Sequence, residues 1–257
     1  MPVSFFARQS LLRILRCGNN ADCAIGTGIF ASAEALWRGP MKKYLVLAGN
    51  IGAGKSTLVQ LLADKLGFRP YFEPVTENPY LADFYADMGR WAFHSQLYFL
   101  THRLKSHREL ASDPWSVVQD RSIYEDAEVF ARNLHEQGTM SDREWETYHG
   151  LYRTITDLLP SPDLVVYLRC SVSTLKERIA RRGRGFESSI PDEYLAGLNR
   201  FYEEWLEAFD KAPVLVVPGD SLDFVADSKH LNAIITSVEA RLRDRQGSLF
   251  PVDMSPR

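Results

Sequence analysis

An apolar run, Tyr44-Leu45-Val46-Leu47-Ala48, leads directly into Gly49-Asn50-Ile51-Gly52-Ala53-Gly54-Lys55-Ser56-Thr57, and a helix-patterned stretch follows. No other feature restricts the fold as much. The pattern G-x-x-x-x-G-K-[ST] between a strand and a helix turns backbone N–H groups around a phosphate-sized anion, and the helix N-terminus adds the positive end of its dipole. Lys55 supplies a point charge for phosphoryl oxygens and Ser56 a hydroxyl for Mg²⁺. A purely structural turn has no use for a lysine followed by two hydroxyls.

Beyond this loop, short apolar runs alternate with longer helical patterns. Strands are expected near 44–48, 69–72, 116–119, 164–168 and 214–217, and helices near 55–66, 91–111, 141–159, 174–181, 192–212 and 229–245. Pro and Gly fall between the segments, among them Gly67, Pro74, Pro114, Pro160, Gly183, Pro191 and Pro213. This alternation predicts an α/β fold with a five-stranded parallel sheet and helices on both faces.

The first forty residues have a different texture, with four Arg, no Lys and two acids, Asp22 and Glu34. They are read as an extension outside the fold: an upstream start, a tail, or an organelle transit segment. The domain is then residues 41–257. A formal charge of −3 gives no global attraction to nucleic acid or anionic membranes, so any bound anion must meet a local site. No apolar run approaches the roughly 18 residues of a membrane-spanning helix. Three cysteines without a CxxC pair indicate neither a disulfide framework nor a zinc site. They point to a reducing compartment: the cytoplasm, or an organelle matrix if the extension is a transit segment.

The loop alone leaves switches, motors and small-molecule kinases open. The guanine-reading NKxD and the transporter LSGGQ are both missing from the sequence, and the chain is too short for a motor's additional domains. A small-molecule kinase remains. In open parallel sheets, ligands bind beyond the carboxyl ends of the strands. That edge collects the phosphate loop after strand one, Glu73 after strand two, and Asp120-Arg121-Ser122 after strand three. Glu73 is the expected general base, although a single strand-end glutamate is often merely a solvated acid. Asp120 could hold Mg²⁺ and Arg121 could stabilise charge on a transferring phosphoryl group, or the two could form a surface ion pair. Arg178, Arg182 and Arg184 end a helix and enter a Gly-containing loop, a lid at about 178–190 whose guanidinium forks suit phosphate oxygens.

These residues, in this order, closely resemble the deoxyribonucleoside kinase family, particularly bacterial deoxyguanosine/deoxyadenosine kinases and the related animal deoxycytidine and deoxyguanosine kinases. The similarity runs from about Tyr44 to Phe224 and is carried by Gly49 to Thr57, Tyr71-Phe72-Glu73-Pro74, Tyr85, Gln96, Asp120-Arg121-Ser122, Phe130-Ala131, and Arg182-Gly183-Arg184 followed by Glu187 and Ile190-Pro191. The resemblance implies γ-phosphoryl transfer from ATP or another NTP to the 5′-hydroxyl of a deoxynucleoside in salvage, with Glu73 as base and Mg²⁺ on Ser56 and Asp120. It also implies that Tyr85 and Glu187 hold the sugar 3′-hydroxyl, with Tyr85 crowding the place of a ribose 2′-hydroxyl. Arg178, Arg182 and Arg184 match lid arginines, Asp223-Phe224 match a loop over the donor base, and a homodimer is implied.

Gln96 and Arg103 are seven apart and share one helix face, while Phe130, four beyond Asp126, can stack on a base. Thymidine-accepting members carry uncharged side chains at the positions of Arg103 and Asp126, so the charges here favour a purine or cytosine. Phe186 and Ser95 depart from the animal deoxycytidine kinase pattern and weaken a deoxycytidine assignment, so deoxyguanosine or deoxyadenosine is the expected acceptor. Rival readings are a deoxycytidine/deoxyadenosine kinase, a thymidylate kinase, whose acceptor phosphate Glu73 would repel, and a noncatalytic nucleoside-kinase-like accessory subunit. His94, His102 and His107 lack convergent ligands, so no metal beyond Mg²⁺ is expected. Phe201, Tyr202, Trp205 and Phe209 have helical spacing and read as core or a dimer seam.

Overall fold

The computed structural model describes residues 42–73, 77–184, 187 and 190–244. The expectation for residues 1–40 lies outside the described residues, as does the stop assigned to Pro74. Strands β1 (Tyr44–Gly49), β2 (Arg69–Tyr71), β3 (Val117–Asp120), β4 (Leu164–Arg169) and β5 (Val214–Pro218) form one sheet in the order β2-β3-β1-β4-β5, parallel throughout. All six residues of β1 are buried. Successive side chains of a strand point to opposite faces, so both faces of the sheet are covered, and the unbroken Val/Leu run follows from that. Truncating Leu47 to Ala at this centre should cost about 2–5 kcal/mol.

The helices are α1 (Lys55–Leu66), α2 (Leu81–Ala86), α3 (Met88–Ser112), α4 (Ile123–Glu125), α5 (Arg132–Glu136), α6 (Asp142–Thr156), α7 (Val172–Arg182), α8 (Asp192–Ala208) and α9 (Ser228–Asp244), with a π-helical stretch, Asp126–Ala131, joining α4 to α5. Several boundaries move from expectation for local reasons. Helix α3 starts at Met88 rather than 91 because Asp87 caps it, accepting from the Arg90 N–H at 3.1 Å. Helix α8 stops at Ala208 because Phe209 is extended. Strand β3 includes Asp120, and the Arg121 N–H prolongs the ladder by donating to Leu47 O at 3.0 Å. The far end of α3 is closed by Lys42, whose ammonium donates to Leu110 O at 2.8 Å, Ala111 O at 3.2 Å, and Asp113 O.

Strand order reverses at β1, which lies between β3 and β4. The crevice beyond the carboxyl ends of β1 and β3 is where an open α/β sheet accepts ligands. Into it the chain delivers the loop after β1, Glu73 two residues past β2, and Arg121 directly after β3.

Candidate active site

The glycines give the loop after β1 its shape. Gly52 has a left-handed backbone, φ +83°, and a Cβ there would meet Ile179 Cγ1 at 2.8 Å and the Leu175 carbonyl at 2.9 Å. Helix α7 therefore rests on the loop itself, and only glycine fits. Gly54, also left-handed, caps α1. Lys55 is buried and donates to Asn50 O at 3.0 Å. Burial, then the nearby Arg121, lowers its pKa to about 8, against the pull of Asp120, Glu125 and Glu73. Ser56 Oγ donates to Asp120 Oδ2 at 2.5 Å, while the buried Asp120 Oδ1 has no protein partner among the described residues. An acceptor oxygen left open beside a serine hydroxyl fits a hard cation.

Helix α3 contributes Gln96 and Arg103, both buried. Arg103 binds three elements at once: Nε donates to Asp126 Oδ2 at 3.1 Å, Nη1 to Asp120 O at 3.0 Å, and Nη2 to Glu73 Oε1 at 2.7 Å. Arg121 approaches the same Glu73 oxygen at 3.6 Å, and its guanidinium carbon lies 4.0 Å from the centre of the Phe130 ring. Burial would raise the Glu73 pKa, but Arg121, Arg103 and Lys55 together outweigh it, and the carboxyl is held below its ordinary range. Burial pushes the Asp126 carboxyl up, opposed by Arg103. The Gln96 amide makes no hydrogen bond to protein among the described residues and faces the cavity.

Arg121 has φ +65°, the sole left-handed non-glycine among the described residues. For an L-residue that conformation costs on the order of 1–2 kcal/mol. Here it turns the chain sharply off β3, so the side chain faces the cavity.

One cavity is lined by Ile51, Gly52, Lys55 and Ser56 of the loop together with Glu73, Tyr85, Gln96, Asp120, Arg121, Asp126, Phe130, Arg182, Arg184 and Glu187. Glu73 and Lys55 thus share one cleft. Glu187 is buried between Arg182 and Arg184, the latter at 3.4 Å, and with burial it raises the Tyr85 pKa. Arg103 lies behind the wall rather than in it. Gly54, Thr57, Arg178, Asp223 and Phe224 line an adjoining, more open cleft on the outer side of the loop. There Arg178 belongs to α7 and not to a free lid loop, and its guanidinium donates to Ala53 O at 2.9 Å and Gly219 O at 2.7 Å. The Asp223 carboxylate accepts from the N–H groups of Val225 and Ala226, at 3.0 and 2.9 Å, closing its own turn.

Sequence reasoning passed over Leu81, Phe84, Phe99 and Tyr194, which complete the cavity wall. Leu81 and Phe84 belong to α2, a helix hidden by the Pro79 and Gly89 that bracket it. It also passed over Glu125, although Ser122-x-x-Glu125 is a legible capping box.

A deoxynucleoside kinase family model matches residues 45–243. The chain belongs to that family. This kinase is a phosphotransferase acting on a hydroxyl acceptor. It is 36% identical over 209 residues to the deoxyadenosine/deoxycytidine kinase of Bacillus subtilis, covering 80% of this chain and 96% of that one. It is 37% identical over 209 residues to the deoxyguanosine kinase of Lactobacillus johnsonii, covering 78% and 92%. Among solved structures, a deoxyadenosine kinase from M. mycoides, with the products dCMP and a flexible dCDP bound, superposes with a TM-score of 0.70 at 33% identity, over 78% of this chain and all of that one. The monophosphate-kinase and noncatalytic alternatives are not favoured by this company. No helix among the described residues is long and apolar enough to cross a membrane.

Proposed function

We propose that this kinase transfers the γ-phosphoryl group of ATP, or another NTP, to the 5′-hydroxyl of deoxyguanosine or deoxyadenosine in nucleotide salvage, as a cytoplasmic homodimer. The observation that carries the reading is Glu73: a carboxylate kept ionised by two arginines, inside the cleft that also holds the phosphate-loop lysine. Such a group accepts the hydroxyl proton as the new O–P bond forms and the bond from the γ-phosphorus to the bridging oxygen breaks. Lys55 and Arg121 supply positive charge where it builds on the phosphoryl oxygens. The backbone from Gly49 to Thr57, with Arg182 and Arg184, receives the donor phosphates. Arg178 contributes by fixing the loop, and Asp223-Phe224 border the donor base. Mg²⁺ fits Ser56 Oγ and the open oxygen of Asp120, where it neutralises phosphate charge.

For the acceptor, Tyr85 and Glu187 meet the sugar, Phe130 stacks on the base, and Gln96 reads its edge with a paired donor and acceptor. Asp126 completes the base end, held from behind the wall by Arg103, and this buried charged pair suits a ring bearing an amino group or a carbonyl with an adjacent nitrogen and gives nothing to a thymine methyl. The Bacillus subtilis relative favours a second reading in which deoxycytidine is also accepted.

Initial rates with each of the four deoxynucleosides and two donors, ATP and GTP, test the proposal. The highest kcat/KM is expected for deoxyguanosine or deoxyadenosine. Thymidine as the best acceptor would overturn the base assignment, and no turnover with any of the four would overturn the reaction.

A further inference from the structure

One buried acid near the cleft is not used by the proposed chemistry. Glu125 is fully buried and bonds to both of the segments that meet there. Its Oε2 accepts from the Ser122 N–H at 2.8 Å and the Ser122 hydroxyl at 3.3 Å, immediately after the left-handed Arg121. Its Oε1 lies 3.3 Å from the N–H of Gly49, the first residue of the phosphate loop. The hydroxyl of Tyr202, from α8, sits 2.8 Å from Oε1 and 2.7 Å from the Gly49 carbonyl oxygen. Both polar groups of Gly49 are therefore clamped by one Glu–Tyr pair. Helix α8 makes a second tie next door: Asn50 Nδ2 donates to Leu195 O at 2.9 Å and Asn199 Oδ1 at 2.8 Å.

We infer that Glu125, with Tyr202, is a positioning device for phosphoryl transfer: by hydrogen bonding it fixes the distance and orientation between the donor cradle at Gly49 and the Arg121 turn that faces the acceptor. Arg121 adopts a conformation that its own backbone disfavours, so something outside it must hold it there. The capping box at Ser122 does so, and the same carboxyl reaches the cradle. A buried hydroxyl–carboxyl pair has a defined geometry because each unmade bond costs the desolvation of a polar group. Burial raises the Glu125 pKa against the pull of Arg121 and Lys55, and the Tyr202 hydroxyl is placed to donate to both Glu125 Oε1 and Gly49 O. The device touches neither substrate. It acts through Gly49 and Arg121, and so rests on the roles proposed for them.

Steady-state kinetics and thermal unfolding of Glu125→Ala, Glu125→Gln and Tyr202→Phe decide the matter. Misplacing a catalytic group by about 1 Å costs up to about 100-fold. Glu125→Ala and Tyr202→Phe should each lower kcat about 10- to 100-fold at a temperature where they are fully folded, with both KM values within about threefold of the parent. Glu125→Gln, which keeps a hydrogen-bonding group of the same length, should recover kcat to within about fivefold. A merely structural role moves the melting temperature and leaves turnover per folded molecule unchanged. A kcat within twofold of the parent in Tyr202→Phe, or Glu125→Gln as damaging as Glu125→Ala, overturns the inference. If Glu125→Ala does not fold, Tyr202→Phe decides alone. Glu73→Gln separates the two layers: if it leaves turnover intact, the catalytic reading fails, whereas if it removes turnover while the Glu125 and Tyr202 variants do not, this inference alone fails.

Discussion

On the proposed acceptor side of the phosphate loop, Glu73, Arg103, Arg121 and Asp126 are buried together and answer one another's charge. On the proposed donor side, Arg182 and Arg184 keep about a third of their side-chain surface in water, at 35% and 36%, and Arg181 is exposed as well. The first arrangement fixes geometry in advance at the expense of desolvation. The second pairs its cations with Glu187 on one side and leaves the rest of their surface in water, where the proposed polyanionic donor can meet them. A small neutral acceptor needs a preformed pocket because it offers few handles, while a triphosphate can organise flexible cations around itself.

Four measurements can break this contrast or sharpen it. The largest effect is expected from Glu73→Gln, which should lower kcat by about 10²–10⁴ while deoxynucleoside binding, followed by calorimetry, persists. Unchanged turnover would take the acceptor-side carboxylate out of the reaction. Next is Arg103→Met, which strands Asp126 and part of the Glu73 charge in the interior. Breaking a buried pair in this way should cost about 3–5 kcal/mol of stability, or very roughly 6–20 °C in Tm for a domain of this size. Adding Asp126→Ala should restore most of that and raise thymidine's kcat/KM relative to deoxyguanosine's by about tenfold. If Arg103→Met melts with the parent, the acceptor charges are not the interlocked group described here.

The third measurement uses Lys55, whose pKa is lowered to about 8. Deprotonation removes the charge that meets the donor, so kcat/KM for ATP should be flat below about pH 8 and fall up to tenfold per unit above it. The kcat/KM profile reports the free enzyme, the state to which this pKa belongs. A profile flat to pH 10 would place the lysine elsewhere in the energetics. The smallest effect is ionic: raising salt from about 0.05 to 0.5 M shortens the screening length to a few ångströms. The donor KM should rise several-fold while the acceptor KM stays within twofold. Equal sensitivity of the two would erase the distinction between the sides.

The same contrast separates what the sequence reveals from what it hides. The phosphate loop is a contiguous segment whose spacing encodes its geometry, and the strand-end rule places Glu73 and Arg121 beside it because sheet topology is nearly fixed once the alternation is recognised. Gln96 and Arg103 share a helix face by simple periodicity. What stayed hidden depends on contacts between distant segments. That Arg103 spans Asp126, Asp120 and Glu73 follows from packing and not from spacing, as does Arg178's attachment to two backbone carbonyls. The π-helical stretch Asp126–Ala131 has no periodicity of its own, and it sets the directions in which Asp126 and Phe130 point. Tyr202 has the spacing of a core residue, and only its hydroxyl, with partners in β1 and α4, marks it as more.

Lys42 stands just before the first strand and yet closes the carbonyl end of α3, the helix that bears Gln96 and Arg103. Any trimming protease, affinity tag or fusion junction that removes this ammonium leaves several carbonyl oxygens without their cation. The last turn of that helix would then fray, about three turns from the side chains proposed to meet the base. Where the chain is cut at its amino end therefore bears on how firmly that helix is closed, and is to be held constant whenever two preparations are compared.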